Sequence, residues 1–389
     1  MKIAYISNSR IPTEKANGVQ IVKTCEALTR SGQEVRLIIP KREQIAQFKN
    51  IDTFKYYGVK NQFSIICLPT VDLLTTVNKL PHTINIMAYF LEEVTFLVSL
   101  AGQNIFEKAI YTSSITAALV CKLLKGKKTV YEVHNITTNN FFKKIHAFFW
   151  ERLDGVVAIS RGLEAEVNKN SSVTTAVIPD AVEIAAYQSL NKSQARKSLK
   201  ISEKVRLVVY CGSLAERKGV FTLAQAAQKL RKERNWQFLF VGGTLSGGDD
   251  EKLKKMVQTN NLVNVKFAGL VAPTKVPAYL QAADVLVLPD SAKFKVSREY
   301  TSPMKLFEYL AAGRVIVASE TPANKEVLTD RKNAIFFKPD DANDLAEKIS
   351  LALSNHCLSE KIRSQAKQDA NKYSWEERVK KIVGFLNSL

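Results

Sequence analysis

Residues 205–230 have the sequence VRLVVYCGSLAERKGVFTLAQAAQKL, and this stretch decides the fold. Within its first seven residues, 207–211 form a continuous apolar run, which is typical of a parallel β-strand covered on both faces. From Leu223 to Leu230 the apolar residues recur at three- and four-residue spacing, which predicts a helix. A strand, a glycine-containing loop and a helix in this order are the unit from which doubly wound α/β sheets are built.

The same unit recurs on both sides of this stretch. Apolar runs alternate with helical segments, which predicts βαβ units and parallel sheets throughout the chain. The predicted strands of the first half are 2–7, 35–40, 64–69, 109–112, 129–134, 156–160 and 175–179. Those of the second half are 205–211, 237–241, 263–267, 285–289, 315–319 and 334–337. The break between the two sets falls at 179–181.

Length and composition agree with two globular domains. The 389 residues exceed what one hydrophobic core usually organises. Hydrophobic residues make up 46% and charged residues 24%, which is ordinary for a soluble protein. The net charge of +19 favours an anionic partner and leaves phosphorylated ligands, acidic membrane surfaces and nucleic acid as alternatives.

The cysteines and the apolar segments predict a cytoplasmic protein. Five cysteines lie far apart without metal-ligand spacing, as expected of reduced thiols. The apolar run at 1–7 is too short for a signal peptide. The apolar segment 84–106 carries Glu92 and Glu93 near its middle, so we expect a packed amphipathic helix rather than a membrane span.

Two glycine-containing loops are candidates for phosphate binding. Gly18 lies between the first strand and a predicted helix at 20–30, where a glycine lets the backbone approach an anion. In the loop 210–219, the adjacent cations Arg217 and Lys218 suit a diphosphate at the carboxyl end of a strand. The spacing is not that of a P-loop. A plain turn glycine and a solvated cation pair are the alternative interpretations.

The stretch 302–313 predicts a helix start that faces a ligand. Ser302 suits the N-cap and Pro303 the first helical position, so the free N–H groups there would meet an anion. Glu308, a turn and a half further on, could accept hydrogen bonds from sugar hydroxyls. A surface glutamate would give the same pattern.

His134 ends a predicted strand and should point toward the ligand edge of the sheet, although a structural histidine is the alternative. The chain has no Asp-x-Asp pair, so an obvious carboxylate site for a metal is missing. The acidic run 249–251 is interpreted as a solvated turn. No serine nucleophile motif occurs either.

Together, these pieces resemble the family 4 retaining glycosyltransferases of the GT-B fold over nearly the whole chain. The resemblance is carried by Gly18, His134 and the segments 154–160, 177–182, 212–219, 267–271, 279–289, 302–313 and 373–375. It implies an α/β protein with two Rossmann-like, doubly wound domains facing across a cleft. Residues 1–181 would form the acceptor-side domain and 182–369 the nucleotide-sugar-binding domain, with a final helix at 370–389 packing back on the first.

The resemblance also implies the roles of individual residues. Arg217 and Lys218 would hold the donor diphosphate, Glu308 the ribose hydroxyls, and His134 would face the transferring sugar. The catalytic residues would thus be His134, Arg217, Lys218 and Glu308. The donor-binding residues would be Gly18, Gly212, Ser213, Gly269, Leu270, Val271, Ser302, Pro303, Met304 and Lys305.

Two positions depart from the family pattern. The family often has a second glutamate eight residues before the one that matches Glu308, and here that position is Tyr300, next to Glu299. Ser213 stands where an arginine often follows the glycine. Arg217 and Lys218 would then carry the phosphate charge alone.

The implied reaction transfers a hexosyl-type sugar from a nucleoside-diphosphate sugar, with UDP or GDP, to an acceptor hydroxyl. The acceptor would be a glycan or lipid-linked, in the synthesis of cell-surface polysaccharide, lipopolysaccharide or glycolipid. The anomeric configuration would be retained, and neither a cofactor nor a metal would be needed.

The basic, aromatic segment 141–150 suggests peripheral contact with the anionic inner face of the membrane, and a buried helix with snorkelling lysines is the alternative. Two other functions stay open. One is a nucleotide-sugar epimerase or hydrolase on the same fold. The other is a nucleic-acid-binding module driven by charge, although no zinc finger, basic zipper or aromatic RNA motif is present.

Overall fold

The computed structural model of the protein describes residues 1–73, 82–137, 139–243 and 248–389. It consists of two compact units. The first unit contains Met1–Ile159, Leu163–Ile178 and Trp375–Leu389, and the second contains Ser160–Gly162 and Pro179–Ser374.

The first unit is built on a parallel sheet. Its strands are β1 (Lys2–Ile6), β2 (Glu34–Pro40), β3 (Ser64–Leu68), β4 (Ala109–Thr112), β5 (Lys128–Val133), β6 (Gly155–Ala158) and β7 (Thr175–Val177). They lie in the order β3-β2-β1-β4-β5-β6-β7. The chain leaves β1 toward one edge and returns to β4 on the other side, which is the doubly wound topology.

Helices cover this sheet. They are α1 (Ala16–Arg30), α2 (Thr53–Tyr57), α3 (His82–Gly102), α4 (Ile115–Leu119), α5 (Asn140–Trp150), α6 (Arg161–Asn170) and, from the C-terminus, α15 (Trp375–Ser388). Shorter turns of 3₁₀ or π type are Ala46–Phe48 and Val120–Leu124. The final helix α15 buries Trp375, Val379, Ile382 and Leu386, as its three- and four-residue spacing predicts.

The second unit repeats the architecture. Its strands are β8 (Arg206–Cys211), β9 (Trp236–Val241), β10 (Val265–Gly269), β11 (Val285–Leu288), β12 (Val315–Ser319) and β13 (Ile335–Phe337). They pair in parallel in the order β10-β9-β8-β11-β12-β13. Successive residues of one strand enter opposite cores: Val208 packs with one apolar cluster and Val209 with the other. Both faces are therefore covered, as the continuous apolar runs predict.

The helices of the second unit are α7 (Lys192–Ser198), α8 (Val220–Lys229), α9 (Asp249–Thr259), α10 (Val276–Ala282), α11 (Met304–Ala312), α12 (Pro322–Lys325), α13 (Ala342–Ser354) and α14 (His356–Ala370). Its shorter turns are Ile184–Tyr187, Glu216–Lys218, Pro273–Lys275, Val296–Tyr300 and Asn371–Tyr373.

Every strand predicted from the sequence overlaps an observed strand, and the predicted α/β class is confirmed. Predicted ends differ from observed ends by up to two residues, as for 263–267 against β10. That difference arises because Val263 lies in a turn and is 80% exposed. Its apolar side chain extended the run without belonging to the strand.

Three local predictions are wrong. Helix α1 begins at Ala16, so Gly18 lies in its first turn rather than in a loop before it. Pro303, not Ser302, is the N-cap of α11, and the N-cap makes no side-chain hydrogen bond. Residues 249–251 form the first turn of α9, where acidic side chains are favoured by the helix dipole, rather than a solvated turn.

Helix α3 differs from the amphipathic helix expected at 84–106. It is packed along one side, through Phe96 and Leu100, against an apolar cluster of the sheet. Its opposite side is also apolar: Met87, Phe90 and Val98 are each more than two-thirds exposed. Within the described ranges, Asn85–Gly102 is the one helical segment whose length and composition would allow it to cross a membrane, and 22% of it is buried.

Candidate functional sites

The loops after β8 and β11 lie side by side because these strands are neighbours in the second sheet. The backbone of Gly219 has a φ of +68°, and a Cβ atom there would lie 1.8 Å from the carbonyl oxygen of Pro289. No other residue fits this contact. Glycine therefore allows the Arg217–Lys218 turn to approach the residues that follow β11.

Asp290 forms the centre of a cluster with two lysines. It follows β11 and is fully buried. Lys218 Nζ and Lys305 Nζ each lie 3.3 Å from Asp290 Oδ1, and their side chains are 11% and 8% exposed. Two cations against one carboxylate leave a net positive charge in a largely buried place, which favours an anionic ligand.

The second carboxylate oxygen, Asp290 Oδ2, is buried and has no hydrogen-bond partner among the described residues. Burial raises the pKa of Asp290, but attraction to Lys218 and Lys305 outweighs this and holds the pKa below its ordinary value. Asp290 is thus charged and fixes the position of both ammonium groups.

Lys305 is the member of this cluster whose charge is least well compensated. Burial lowers the pKa of Lys305 to about 8, because Asp290 offsets only part of the combined effect of burial and Lys218. Its Nζ also lies 4.7 Å from the centre of the Tyr210 ring. A bound anion would stabilise the charged form of Lys305.

Helix α11 places Glu308 one turn after Lys305, on the same side of the helix. The hydroxyl of Tyr187 donates a hydrogen bond to Glu308. Burial raises the pKa of Glu308 to about 7, and the bond from Tyr187 lowers it only in part. The charge of Glu308 raises the pKa of Cys211 at the end of β8, and the charge of Lys305 lowers it. Helix α11 and the end of β8 therefore lie close together.

Arg217 is exposed, and its carbonyl oxygen anchors the loop. That oxygen accepts hydrogen bonds from the N–H of Ser291 at 3.2 Å and from the hydroxyl of Ser297 at 2.9 Å. The guanidinium thus projects from a fixed backbone. Near it, Ser213 accepts a 2.6 Å hydrogen bond at its carbonyl oxygen from the hydroxyl of Tyr210.

The ends of β8, β9 and β10 approach each other through glycines. The N–H of Gly242 donates to the carbonyl of Gly269 at 2.8 Å. A Cβ atom at Gly242 would lie 2.2 Å from the carbonyl oxygen of Gly212. Leu270 and Val271 follow this junction and are half-buried. A Cβ atom at Gly269 would meet no described atom within 4 Å, so the space beside this glycine is open and is bordered by two apolar residues.

The start of α11 is held by the residues that precede β8. The hydroxyl of Ser302 accepts a 3.2 Å hydrogen bond from the N–H of Asp180. Met304 is half-buried in the first turn. Tyr300, one of the two departures from the family pattern, is buried, and the neighbouring Glu299 accepts a 2.8 Å hydrogen bond from Arg298.

In the first unit, His134 follows β5 and is held by Glu132. The Nε2 atom of His134 lies 2.7 Å from Glu132 Oε1, and the histidine side chain is 34% exposed. Glu132 itself is fully buried. It also accepts from Gln20 Nε2 at 2.6 Å and from the hydroxyl of Tyr111.

Arg378 of α15 completes this network. Its guanidinium bonds to Glu132 Oε2 at 2.5 Å and to the carbonyl of Ile178 at 2.8 Å. Burial raises the pKa of Glu132, but Arg378 first and His134 next lower it to about 2. The carboxylate therefore stays charged and orients the ring of His134.

Gly18 has a packing reason for being glycine. A Cβ atom there would lie 2.4 Å from the hydroxyl oxygen of Tyr57 and 2.5 Å from Thr13 Cγ2. Tyr57 in turn bonds both the N–H and the carbonyl of Thr13. The glycine lets α1 begin against this tyrosine, two residues before Gln20 joins the network of His134.

The predicted residues thus fall into two groups, Gly18 and His134 in the first unit and all the others in the second. Sequence reasoning missed Asp290, Glu132 and Arg378. Asp290 and Glu132 carried a signal, because each is an acidic residue within or directly after an apolar strand. Arg378 carried none, since its partner lies 246 positions away in the chain. Over the described ranges, no group of three or more His, Cys, Asp or Glu residues could hold a metal ion.

Comparisons with known proteins bear on the family and on the fold. Residues 191–369 match the family model described as "Glycosyl transferases group 1". TuaC of Bacillus subtilis, which is named as a teichuronic acid biosynthesis glycosyltransferase, is 29% identical over 197 residues, 50% of this chain and 46% of its own length. The Salmonella typhimurium lipopolysaccharide 1,2-N-acetylglucosaminetransferase is 24% identical over 215 residues, 53% of this chain and 54% of its own. The chain thus spans about half the length of these curated relatives.

A solved structure of the Anabaena protein HepE in complex with UDP-glucose superposes with a TM-score of 0.78. The two sequences are 17% identical, and the superposition covers 100% of both chains. This likeness concerns the fold. Residues 191–369 are thus similar to the group 1 glycosyl transferases, and the fold is GT-B, as the sequence resemblance implies.

The buried pair Arg378–Glu132 yields a stability prediction. Arg378→Met should lower the free energy of unfolding by about 3–5 kcal/mol, because it leaves a charged carboxylate buried without its cation. Urea unfolding measures this change. The double variant Glu132→Gln with Arg378→Met should lose less than Arg378→Met alone, because no charge is stranded. A double variant that is less stable than the single one would contradict this account.

The raised pKa of Glu308 yields a pH prediction. In the unfolded chain the carboxyl releases its proton near its ordinary pKa of 4.5, whereas in the folded protein it does so near 7. The contribution of Glu308 to the free energy of unfolding is therefore fully present below pH 4.5 and is lost as the pH rises through 7. Glu308→Gln should gain stability relative to the wild type between pH 5 and 8, measured by urea unfolding. A difference that stays constant over this range would refute the assignment.

Proposed function

We propose that this protein of the GT-B fold is a group 1 glycosyl transferase, and specifically a family 4 retaining enzyme. It moves a hexosyl-type sugar from a nucleoside-diphosphate sugar, with UDP or GDP, to the hydroxyl of a glycan or lipid-linked acceptor. The observation that carries the proposal is the cluster of Lys218, Asp290 and Lys305, with Glu308 one turn further along α11.

In the proposed complex, each part of the donor would contact different residues of the second unit. Lys218, Lys305 and the exposed Arg217 would neutralise the diphosphate. Glu308 would accept hydrogen bonds from the ribose hydroxyls. The glycine junction at Gly269, bordered by Leu270 and Val271, would take the base. The remaining donor contacts would come from Gly212, Ser213 and the backbone of 302–305.

His134 would face the transferring sugar from the first unit, with Gly18 near the diphosphate and the acceptor. Because Glu132 holds Nε2, the other edge of the ring is the one that can turn toward a ligand. The buried Arg378 keeps Glu132 charged and so fixes this orientation. His134 would therefore position the sugar.

Catalysis would rest on the departing diphosphate. The bond between the anomeric carbon and the diphosphate oxygen breaks through an oxocarbenium-like transition state. The acceptor oxygen attacks from the face that the diphosphate leaves, and its proton passes to a diphosphate oxygen. Retention follows, since the bond forms on the same face. The cations that already surround the diphosphate stabilise its growing charge without a metal ion.

Relatives in teichuronic acid and lipopolysaccharide synthesis support a role in cell-surface polysaccharide, lipopolysaccharide or glycolipid synthesis. We place the protein in the cytoplasm, peripheral at the inner face of the membrane. Among the described residues Cys25, Cys121 and Cys211 are buried free thiols, which is consistent with a reducing compartment.

Lys218→Ala should lower turnover at least a hundredfold, because removing one contact to a developing charge costs about 3 kcal/mol. The measurement is release of UDP or GDP from the matching sugar in the presence of a glycan or lipid-linked acceptor. NMR of the product should give the same anomeric configuration as the donor. Lys361→Ala, at an exposed lysine of α14, is the matched control and should keep full turnover.

Near-wild-type turnover of Lys218→Ala would remove this lysine from the mechanism. The same assay without acceptor separates the other functions. An epimerase would convert the donor sugar, a hydrolase would release it at full rate, and a transferase would hydrolyse it only slowly. Salt-sensitive binding to duplex nucleic acid without affinity for any sugar nucleotide would favour a nucleic-acid-binding module instead.

A further inference from the structure

Helix α3 has two apolar sides. Its inner side packs Ala88, Phe96 and Leu100 onto the first unit. We call the opposite row of Met87, Phe90, Val94 and Val98 the outer stripe, and these residues recur at three- and four-residue spacing. Met87 is 72%, Phe90 71% and Val98 67% exposed.

No charged side chain interrupts the outer stripe. The acidic residues of α3 are Glu92 and Glu93. Glu92 is buried in an ion pair with Arg42. Glu93 accepts hydrogen bonds from Asn8 and Thr116. Both carboxylates are therefore bound to the rest of the first unit. A surface helix normally turns a polar face to water, and a helix that is apolar all round is expected in a core or at a lipid.

Lysines lie beside one end of this helix. The Nζ atom of Lys125 donates to the carbonyl of Ala101, the penultimate residue of α3, at 2.9 Å. Lys125 follows the turn Val120–Leu124, in which Leu123 and Leu124 are 62% and 68% exposed. The same short segment contains Lys122, Lys125, Lys127 and Lys128, of which Lys122 is paired with Asp154 at 2.7 Å. No acidic residue occurs at 113–128.

We propose that α3 docks in the plane of an anionic lipid bilayer. The docking face consists of the outer stripe together with Leu123 and Leu124. Its apolar side chains enter the boundary between headgroups and acyl chains, and Lys125, Lys127 and Lys128 contact lipid phosphates. An apolar face next to cations is the combination that interfacial helices use.

Two other occupants fit the observations less well. A membrane-spanning α3 would have to pull Phe96 and Leu100 out of the core and place two carboxylates in hydrocarbon, which is costly. A second copy of the chain paired through the same face about a twofold axis would bring the lysine segments of both copies to one interface. Lysines gathered beside an apolar face suit a partner of opposite charge.

The docked face has a defined position relative to His134. Helices that connect parallel strands run back against them, so the start of α3 lies at the carboxyl edge of the first sheet, where His134 follows β5. The docked helix would hold this edge at the membrane surface. The inference rests on the proposed function in one respect, because it gives a lipid-linked acceptor a route to that edge.

This assignment differs from the contact expected for 141–150. Helix α5 is not a buried helix with snorkelling lysines, because Phe141, Phe142 and Phe148 are at least half exposed. Its Lys143 is paired with Glu166 at 2.5 Å, which removes a cation from lipid contact. By the right-handed crossover rule α5 lies on the same face of the sheet as α3. It therefore serves as a matched control for the docking face.

The test is flotation of the full chain with vesicles of phosphatidylcholine containing about a third phosphatidylglycerol. The wild type should bind these vesicles at low salt, and binding should fall at high salt or on phosphatidylcholine alone. The variant Met87→Gln, Phe90→Gln, Val98→Gln should lose at least tenfold in partition. The variant Phe141→Gln, Phe142→Gln, Phe148→Gln should keep most of the binding.

Equal binding of the α3 variant and the wild type would overturn the proposal, as would absence of wild-type binding at low salt. A dimer that dissociates in the α3 variant, measured by light scattering, would assign the face to a second copy instead. Turnover with a soluble acceptor reports separately on the proposed function, since the α3 variant should keep it. If the wild type binds vesicles but shows no turnover with any soluble acceptor, the proposed transferase function is wrong and the proposed docking face is still supported.

Discussion

One carboxylate held between two ammonium groups is the interaction on which the proposed donor site depends. Asp290 is fully buried, and Lys218 and Lys305 lie at equal distances from one of its oxygens. Attraction to the carboxylate offsets part of the desolvation cost of burying two cations, yet one carboxylate neutralises only one of them. The remaining positive charge favours an anionic ligand. This arrangement brings the turn of Lys218 into contact with Pro289, and only glycine at position 219 leaves space for that contact.

The first unit contains a related arrangement in which the buried charge at the centre also belongs to a carboxylate, and a single arginine neutralises it. Glu132 is buried in the strand before His134, and Arg378 from the last helix supplies its counter-charge. A cation that arrives from the C-terminus thus fixes a histidine a third of the way along the chain. In both units a buried ion pair holds a side chain at the carboxyl edge of a parallel sheet, where ligands bind in such folds.

The sequence predicted the regular parts of this protein and missed its pairings. Continuous apolar runs predicted each strand, because a strand buried on both faces leaves a local pattern. Lys218 and Glu308 could be singled out from their position after strands and at a helix start. The pairing of Arg378 with Glu132 could not, because a contact across 246 positions leaves no local pattern. The apolar outer stripe of α3 could not be predicted for a similar reason. Glu92 and Glu93 suggested a polar, solvent-exposed face, whereas both side chains bind residues of the first unit.

The central claim is that the lysine cluster recognises a diphosphate, and calorimetric titration with a nucleoside diphosphate and with the matching nucleoside tests it most directly. The wild type should prefer the diphosphate by at least a hundredfold, since each charge-assisted contact contributes about 1.5–3 kcal/mol. Lys305→Met should reduce this preference at least tenfold while leaving nucleoside affinity unchanged. An undiminished preference for the diphosphate in that variant would contradict the account.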